Sequence, residues 1–280
     1  MYSPKVKLAA VAGIIILSIV GGQLKASVLV APTVVFLNKT EPTESMTIMN
    51  QGTKPQEVSI DFAWGLPQSD STGEVYVELK DSSMGDPRSA VEWLRAFPRT
   101  MIVPPGQSQV VRVMARAPAN LSDGEYWARV VIRSQEARQE EEADLDEGVI
   151  TTRLNMVMQT AIMVKYRTGE LNASLQLNFA RARQEGDRVS VLIDLQNLGN
   201  VSYMGVAELT LVDGGGRELG TQRTNVAVYR GLRRRFDMNI PNDSQSPYRV
   251  QMKISSEGRT DVAPPDMIAG NSIEDLLAVE

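Results

Sequence analysis

The residue types that most often carry out chemistry are missing here. The 280-residue chain contains no histidine and no cysteine. Ser-His-Asp and Cys-His catalysis is therefore impossible, as are zinc sites built on imidazole or thiolate. Carboxylate pairs remain available for hydrolysis of the glycosidase kind, but none sits in a recognisable setting. Asp144-x-Asp146-x-Gly148 matches part of a calcium loop and lacks the remaining ligand spacing, so a solvated loop is the default. Arg230 and Arg233 to Arg235 form a basic run in a chain of net charge −5, which makes nucleic acid a poor partner. Nothing in the sequence calls for a cofactor. Recognition rather than catalysis is the chemistry left.

The stretch most suited to recognition is Ile150 to Arg167, ITTRLNMVMQTAIMVKYR. It has no Gly or Pro and alternates with a period of two, which reads as a β-strand. Thr152, Leu154, Met156, Met158, Thr160, Ile162, Val164 and Tyr166 share one side. Arg153, Asn155, Gln159, Lys165 and Arg167 share the other. At ~3.3 Å per residue such a strand runs about 55 Å, far beyond the mean strand of about five or six residues. It is either one long core strand with a bulge or a strand that outruns its sheet and offers an open edge to a partner's backbone.

The rest of the chain must hold that strand outside the cytoplasm. Lys5 and Lys7 precede an apolar run from Leu8 to Gly22, and Leu24-Lys25-Ala26 gives a small-residue exit. This predicts a secretory signal peptide over residues 1–26, too short to span a membrane comfortably. Its removal takes away three lysines and no acids, moving the formal charge from −5 to −8. Without cysteine the exported chain has no disulfides, and its size is enough to bury a core without them.

Residues 27–168 read as a first domain of short strands with Gly and Pro turns. Val28 to Leu37 is a strand interrupted by Pro32, as expected of an edge strand that changes partners. Glu44 to Asn50 and Glu57 to Trp64 flank Asn50-Gln51-Gly52, a hairpin signal. Glu74 to Lys80 reads as another short strand, and Ser89 to Arg95 is compatible with a short helix or a loop carrying Trp93. An acidic loop over residues 134–148, with seven acids and Arg138 as its lone base, cannot form a packed core. Residues 169–280 form a second domain, with strands over Leu171–Phe179, Arg188–Gln196, Val206–Val212, Tyr229–Phe236, Tyr248–Ile254 and Ile273–Val279. Gly214-Gly215-Gly216 is a hairpin tip, and the residues after Pro264-Pro265 read as a loosely held tail. The fold class expected is all-β: two immunoglobulin-like β-sandwich domains joined by a long shared strand.

Several segments carry a family resemblance. Val103 to Val113, VPPGQSQVVRV, is followed by DGEYWARVVI, by the acidic loop, and by RLNMVMQTAIMVKYR. These resemble the PapD-like periplasmic pilus-assembly chaperones, with their PPGQ-x-Q-x-x-R run and a long strand ending near Tyr-Arg at the domain boundary. APTVVFLNKT and TIMNQGTKPQEVSI resemble the first strands of that family. The match covers residues 28 to 167; the second domain resembles only an immunoglobulin-like sandwich.

The resemblance implies a non-enzymatic, ATP-independent chaperone that lends alternate apolar side chains of its long strand to an exported subunit lacking a strand. Leu154, Met156, Met158 and Thr160 fall at the donated positions. The implied partners are a pilus-like or other β-rich subunit and an outer-membrane usher, and the implied compartment is the periplasm. The family holds its client's terminal carboxylate with an Arg and a Lys, and the matching positions here are Val34 and Met163, neither of them charged. A different class also fits the sequence: a structural or adhesive surface protein using two sandwiches as spacers.

Overall fold

The computed structural model describes residues 28–81, 85–137 and 156–280. The signal segment, Leu154 and most of the acidic loop, including Asp144 and Asp146, lie outside the described residues. The first part of the chain supplies β1 (Val28–Ala31), β2 (Val34–Asn38), β3 (Thr43–Asn50), β4 (Gln56–Ala63), β5 (Pro67–Ser69) and β6 (Val75–Val77). A 3-10 turn at Val91–Trp93 then leads into β7 (Leu94–Phe97), β8 (Thr100–Val103), β9 (Ser108–Ala115), β10 (Gly124–Glu136) and β11 (Val157–Thr168). The second part supplies β12 (Leu175–Glu185), β13 (Arg188–Asn197), β14 (Tyr203–Val212), β15 (Glu218–Val228) and β16 (Gly231–Asn239). After these come β17 (Arg249–Ser255), a 3-10 turn at Pro264–Asp266, and β18 (Ile273–Ala278).

The strands form two sandwiches. In the first, sheet β1-β3-β9-β7 faces sheet β2-β11-β10-β4-β8; in the second, β12-β13-β16 faces β15-β14-β17-β18. The period-two pattern explains both cores, since alternate side chains of each strand point inward. Met46, Ile48, Val111 and Val113 of one sheet meet Val58, Ile60, Val130, Ile132, Ile162 and Val164 of the other. The second core is built on Val191, Ile193, Leu195, Leu209, Val250, Ile254 and Phe236.

The change of partner read at Pro32 is present. β1 pairs with β3 in one sheet, and after Pro32 β2 pairs in parallel with β11 in the other. Three other expectations need correction. Asn50-Gln51-Gly52 does not close a hairpin, because β3 and β4 belong to different sheets. The buried Asn50 instead holds a crossover, donating from Nδ2 to the carbonyls of Lys54 (2.8 Å) and Val103 (2.9 Å) while Oδ1 accepts the Gly52 N–H. Asn197 does the same between β13 and β14, bonding the carbonyls of Val201 and Tyr229 and the N–H of Gly199. Local turn chemistry specifies the bend and not the sheet that the next strand joins. The residues after Pro264-Pro265 are not a loose tail, since the strand expected from Ile273 is present as β18 and pairs with β17 along six residues. The strand expected over Glu74 to Lys80 shrinks to β6, one limb of a hairpin with β5.

Candidate strand-pairing edge and domain junction

β11 is bonded unequally on its two sides. Toward β10 it pairs along its whole length, from Val157 opposite Gln135 to Thr168 opposite Gly124. Toward β2 it pairs only from Met163 to Arg167. Among the described residues, positions 157–162 therefore have one side with no strand beside it. Pairing stops there because β2 begins at Val34, directly opposite Met163.

The side chains change character at the same point. Ile162, Val164 and Tyr166 lie in the first core. Thr160 and Met158 on the same side are half-buried, and Met156 is 59 % exposed. On the other side Val157 is 55 % exposed. An apolar strand end with open backbone groups is a template for pairing, and unbranched, polarizable Met side chains adapt to varied surfaces.

Val34 and Met163 are brought together as partners across β2 and β11. They join Leu66, Trp64, Trp127 and Tyr229 in a third apolar cluster at the domain boundary. The place where the resemblance puts two cations is thus lined by hydrocarbon and aromatic rings.

The cations lie one step along β11. Lys165 is 1 % exposed and Glu125 of β10 is 0 % exposed. Glu125 accepts hydrogen bonds from Trp127 Nε1 (2.6 Å), Ser202 Oγ (2.6 Å) and Arg167 Nε (2.8 Å), with Lys165 Nζ 3.5 Å away. Lys165 donates to Ser202 Oγ at 2.5 Å and lies 4.9 Å from the centre of the Tyr229 ring. Arg167 stacks over Phe36 and donates from Nη1 to the carbonyl of Asp266 (2.6 Å). The contacts to Ser202, Tyr229 and Asp266 tie first-domain strands to the second domain, while Lys165, Arg167 and Trp127 surround Glu125, and Phe36 lies against Arg167, from within the first. Burial alone would push the Glu125 carboxyl up, but Lys165, Arg167 and the hydrogen bonds from Ser202 and Trp127 hold it below its ordinary value. Desolvation pulls Lys165 down to about 8, against the opposing pull of Glu125. Burial raises the Tyr229 hydroxyl well above its usual range.

Two further contacts fix the domains to each other. The tip of the β5–β6 hairpin lies against β16: Ser69 Oγ accepts the Arg233 N–H (2.7 Å), and the Gly73 carbonyl accepts that of Arg235 (3.2 Å). Gly73 has φ +86, and a Cβ there would stand 2.6 Å from the Arg235 nitrogen, so only glycine fits. Both carboxylate oxygens of Asp86 also accept from Arg230 Nη2, at 2.9 and 2.6 Å.

Sequence reasoning placed Lys165 and Arg167 on the correct side of the strand and missed what they meet. Glu125 and Ser202 are distant in sequence, and no local pattern joins them. The one available signal is an acid, Glu125, opening a strand that is otherwise apolar for several residues.

No family model and no curated protein matches the chain. Among solved structures, it is similar to the YadV chaperone, at 13% identity and a TM-score of 0.46, covering 90% of this chain and 100% of that one. It is also similar to a chain of the complex of Salmonella enterica SafA pilin with the SafB chaperone, at 14% identity and a TM-score of 0.43, covering 90% and 96%. A third is the CsuC–CsuE chaperone–tip subunit pre-assembly complex from Csu pili of Acinetobacter baumannii, at 13% identity and a TM-score of 0.42, covering 91% and 98%. The two-sandwich assignment rests on the strand order described above.

Proposed function

We propose that this chain is a periplasmic, ATP-independent assembly chaperone and not an enzyme. It lends the open end of β11 to an exported pilus-like or other β-rich subunit. Leu154, Met156, Met158 and Thr160 enter a groove in the subunit while the backbone from Val157 to Ile162 pairs with a subunit strand. The observation that carries this reading is the half-open strand: one end is locked between β10 and β2, and the other is apolar and bonded on one side only. The secretory head and the segments quoted from residues 28 to 167 support the same reading, and an outer-membrane usher is the expected onward partner.

The rigid junction around Glu125 would also suit a spacer in a surface protein. A photo-reactive side chain placed at Met156 in the exported protein separates the two. The chaperone reading expects crosslinks to a folded-in subunit from Met156 and none from Ile102, an equally exposed apolar position on β8. A spacer gives no discrete crosslink from Met156.

A further inference from the structure

Sulfur in this chain is all thioether, with 13 methionines and no cysteine. No thiol competes for an oxidant, which leaves the methionines as its sulfur targets. The fold shields most of them. Met46 and Met252 are sealed in the two cores, and Met163 lies in the apolar cluster at the domain boundary. Met204 is buried, and its Sδ accepts a hydrogen bond from Lys165 Nζ (3.0 Å). Of the methionines among the described residues, Met156 alone is exposed. Met158, on the same side of the strand, is half-buried and outside both cores. Oxidation of a methionine follows the exposure of its sulfur.

The exposed thioether thus stands in the stretch proposed to enter a subunit groove, beside the positions where β11 is bonded on one side only. What suits these side chains to a dry groove is that they are apolar, and oxidation removes that property. A sulfur lone pair attacks one oxygen of hydrogen peroxide. The S–O bond forms as the O–O bond breaks, sulfur gives up two electrons, and the other oxygen leaves with both hydrogens as water. The sulfoxide is a polar acceptor, costly to bury where an apolar groove offers it no donor. We propose that Met156, followed by Met158, is a reversible oxidation site at which a peroxide switches the donor strand off. This deepens the strand-lending reading and rests on it. Recovery needs a methionine sulfoxide reductase, with a dithiol supplying the two electrons and the oxygen leaving as water. Neither side chain belongs to a core cluster, so the oxidised protein stays folded.

The test treats the full exported protein with hydrogen peroxide and measures its affinity for a synthetic peptide of alternating valine and threonine with a solubilising N-terminal lysine. Peptide mapping by mass spectrometry should show Met156 oxidised first and Met46, Met163, Met204 and Met252 last, with the melting temperature unchanged. Affinity should fall about tenfold. It should return after treatment with sulfoxide reductases of both stereospecificities and dithiothreitol. Saturating peptide added before the peroxide should slow the oxidation of Met156. In Met156→Leu/Met158→Leu the ratio of affinities before and after peroxide should be one, whatever the starting affinity of that variant. A tenfold fall in the variant places the effect elsewhere and overturns the proposal. So does an unchanged affinity once Met156 is oxidised, or a buried methionine that reacts before it. If the untreated protein does not bind the peptide at all, the strand-lending reading falls, and this inference with it.

Discussion

Two sheet edges, one in each domain, are treated in opposite ways. β16 pairs with β13 on one side only within its sheet, and it carries three arginines in succession, Arg233 to Arg235. Arg233 and Arg235 are tied to Asp194, Glu185 and Asp237, and the hairpin tip at Ser69 and Gly73 takes their backbone N–H groups. Arg234 shares its row with the core residue Ile193, so it is a charge pointing inward from an edge, half-buried beside the Phe236 ring. Inward charges and covering segments are how proteins stop edges from pairing. Among the described residues none of these devices is found along β11 from Val157 to Ile162, which carries Val, Met, Gln, Thr, Ala and Ile. One edge is closed at some cost in buried charge, and the other is left open and apolar. The difference teaches that the open edge is not an oversight of a fold unable to blunt its edges.

The largest effect is expected where β11 stops being open. Val164 is fully buried in the first core, so Val164→Asp should lower stability by about 3–5 kcal/mol, the range for an unpaired buried charge. The loss would appear as a large fall in the melting temperature of the free protein. Met156→Asp, eight residues earlier on the same side, should change it by less than ~0.5 kcal/mol while sharply weakening subunit binding. Equal destabilisation by both would erase the distinction between locked and open ends.

Opening the closed edge should have an intermediate effect. Gly73→Val places a branched side chain at a left-handed position pressed against β16, costing about 1–3 kcal/mol locally. The hairpin tip should lift, and the amides of Arg233 and Arg235 should then exchange with solvent much faster. If their exchange is unchanged, the hairpin is not what closes β16.

A smaller effect concerns the junction that holds the two edges in one body. Lys165 sits at about 8 in the folded chain against an ordinary value of 10.5. Between those values the unfolded chain binds more protons at this residue, so its contribution to stability rises as pH rises from about 8 to about 10.5. Urea unfolding across that window should therefore rise more steeply for the unaltered protein than for Lys165→Met. Parallel curves would place the ammonium in a wetter site than the structure describes. Smallest of all, Gln159→Ser, on the exposed side of β11, should leave both stability and subunit binding nearly unchanged.

The sequence made the alternating strands, the partner change at Pro32 and the turn at Gly214 to Gly216 legible, because each depends on residues next to one another. The half-open state of β11 was legible only as one of two readings. Its length and composition fit a core strand as well, and the limit of β2 pairing at Met163 is a fact of three-dimensional register. The Asn50 turn was legible as a turn and misread as a hairpin, since crossing to the other sheet is decided by the core and not by Asn-x-Gly. The Glu125 cluster was not legible: its partners Lys165 and Ser202 stand 40 and 77 residues away, and burial pairs them.

Amide hydrogen exchange along β11 in the free protein tests the central claim most directly. A strand bonded on one side protects alternate amides, so every second N–H from Val157 to Ile162 should exchange at nearly unprotected rates. From Met163 to Arg167, between β10 and β2, all amides should be protected, and adding the subunit should protect the fast set as well. Uniform protection from Val157 to Arg167 in the free protein would contradict the account, because the edge would then already be filled.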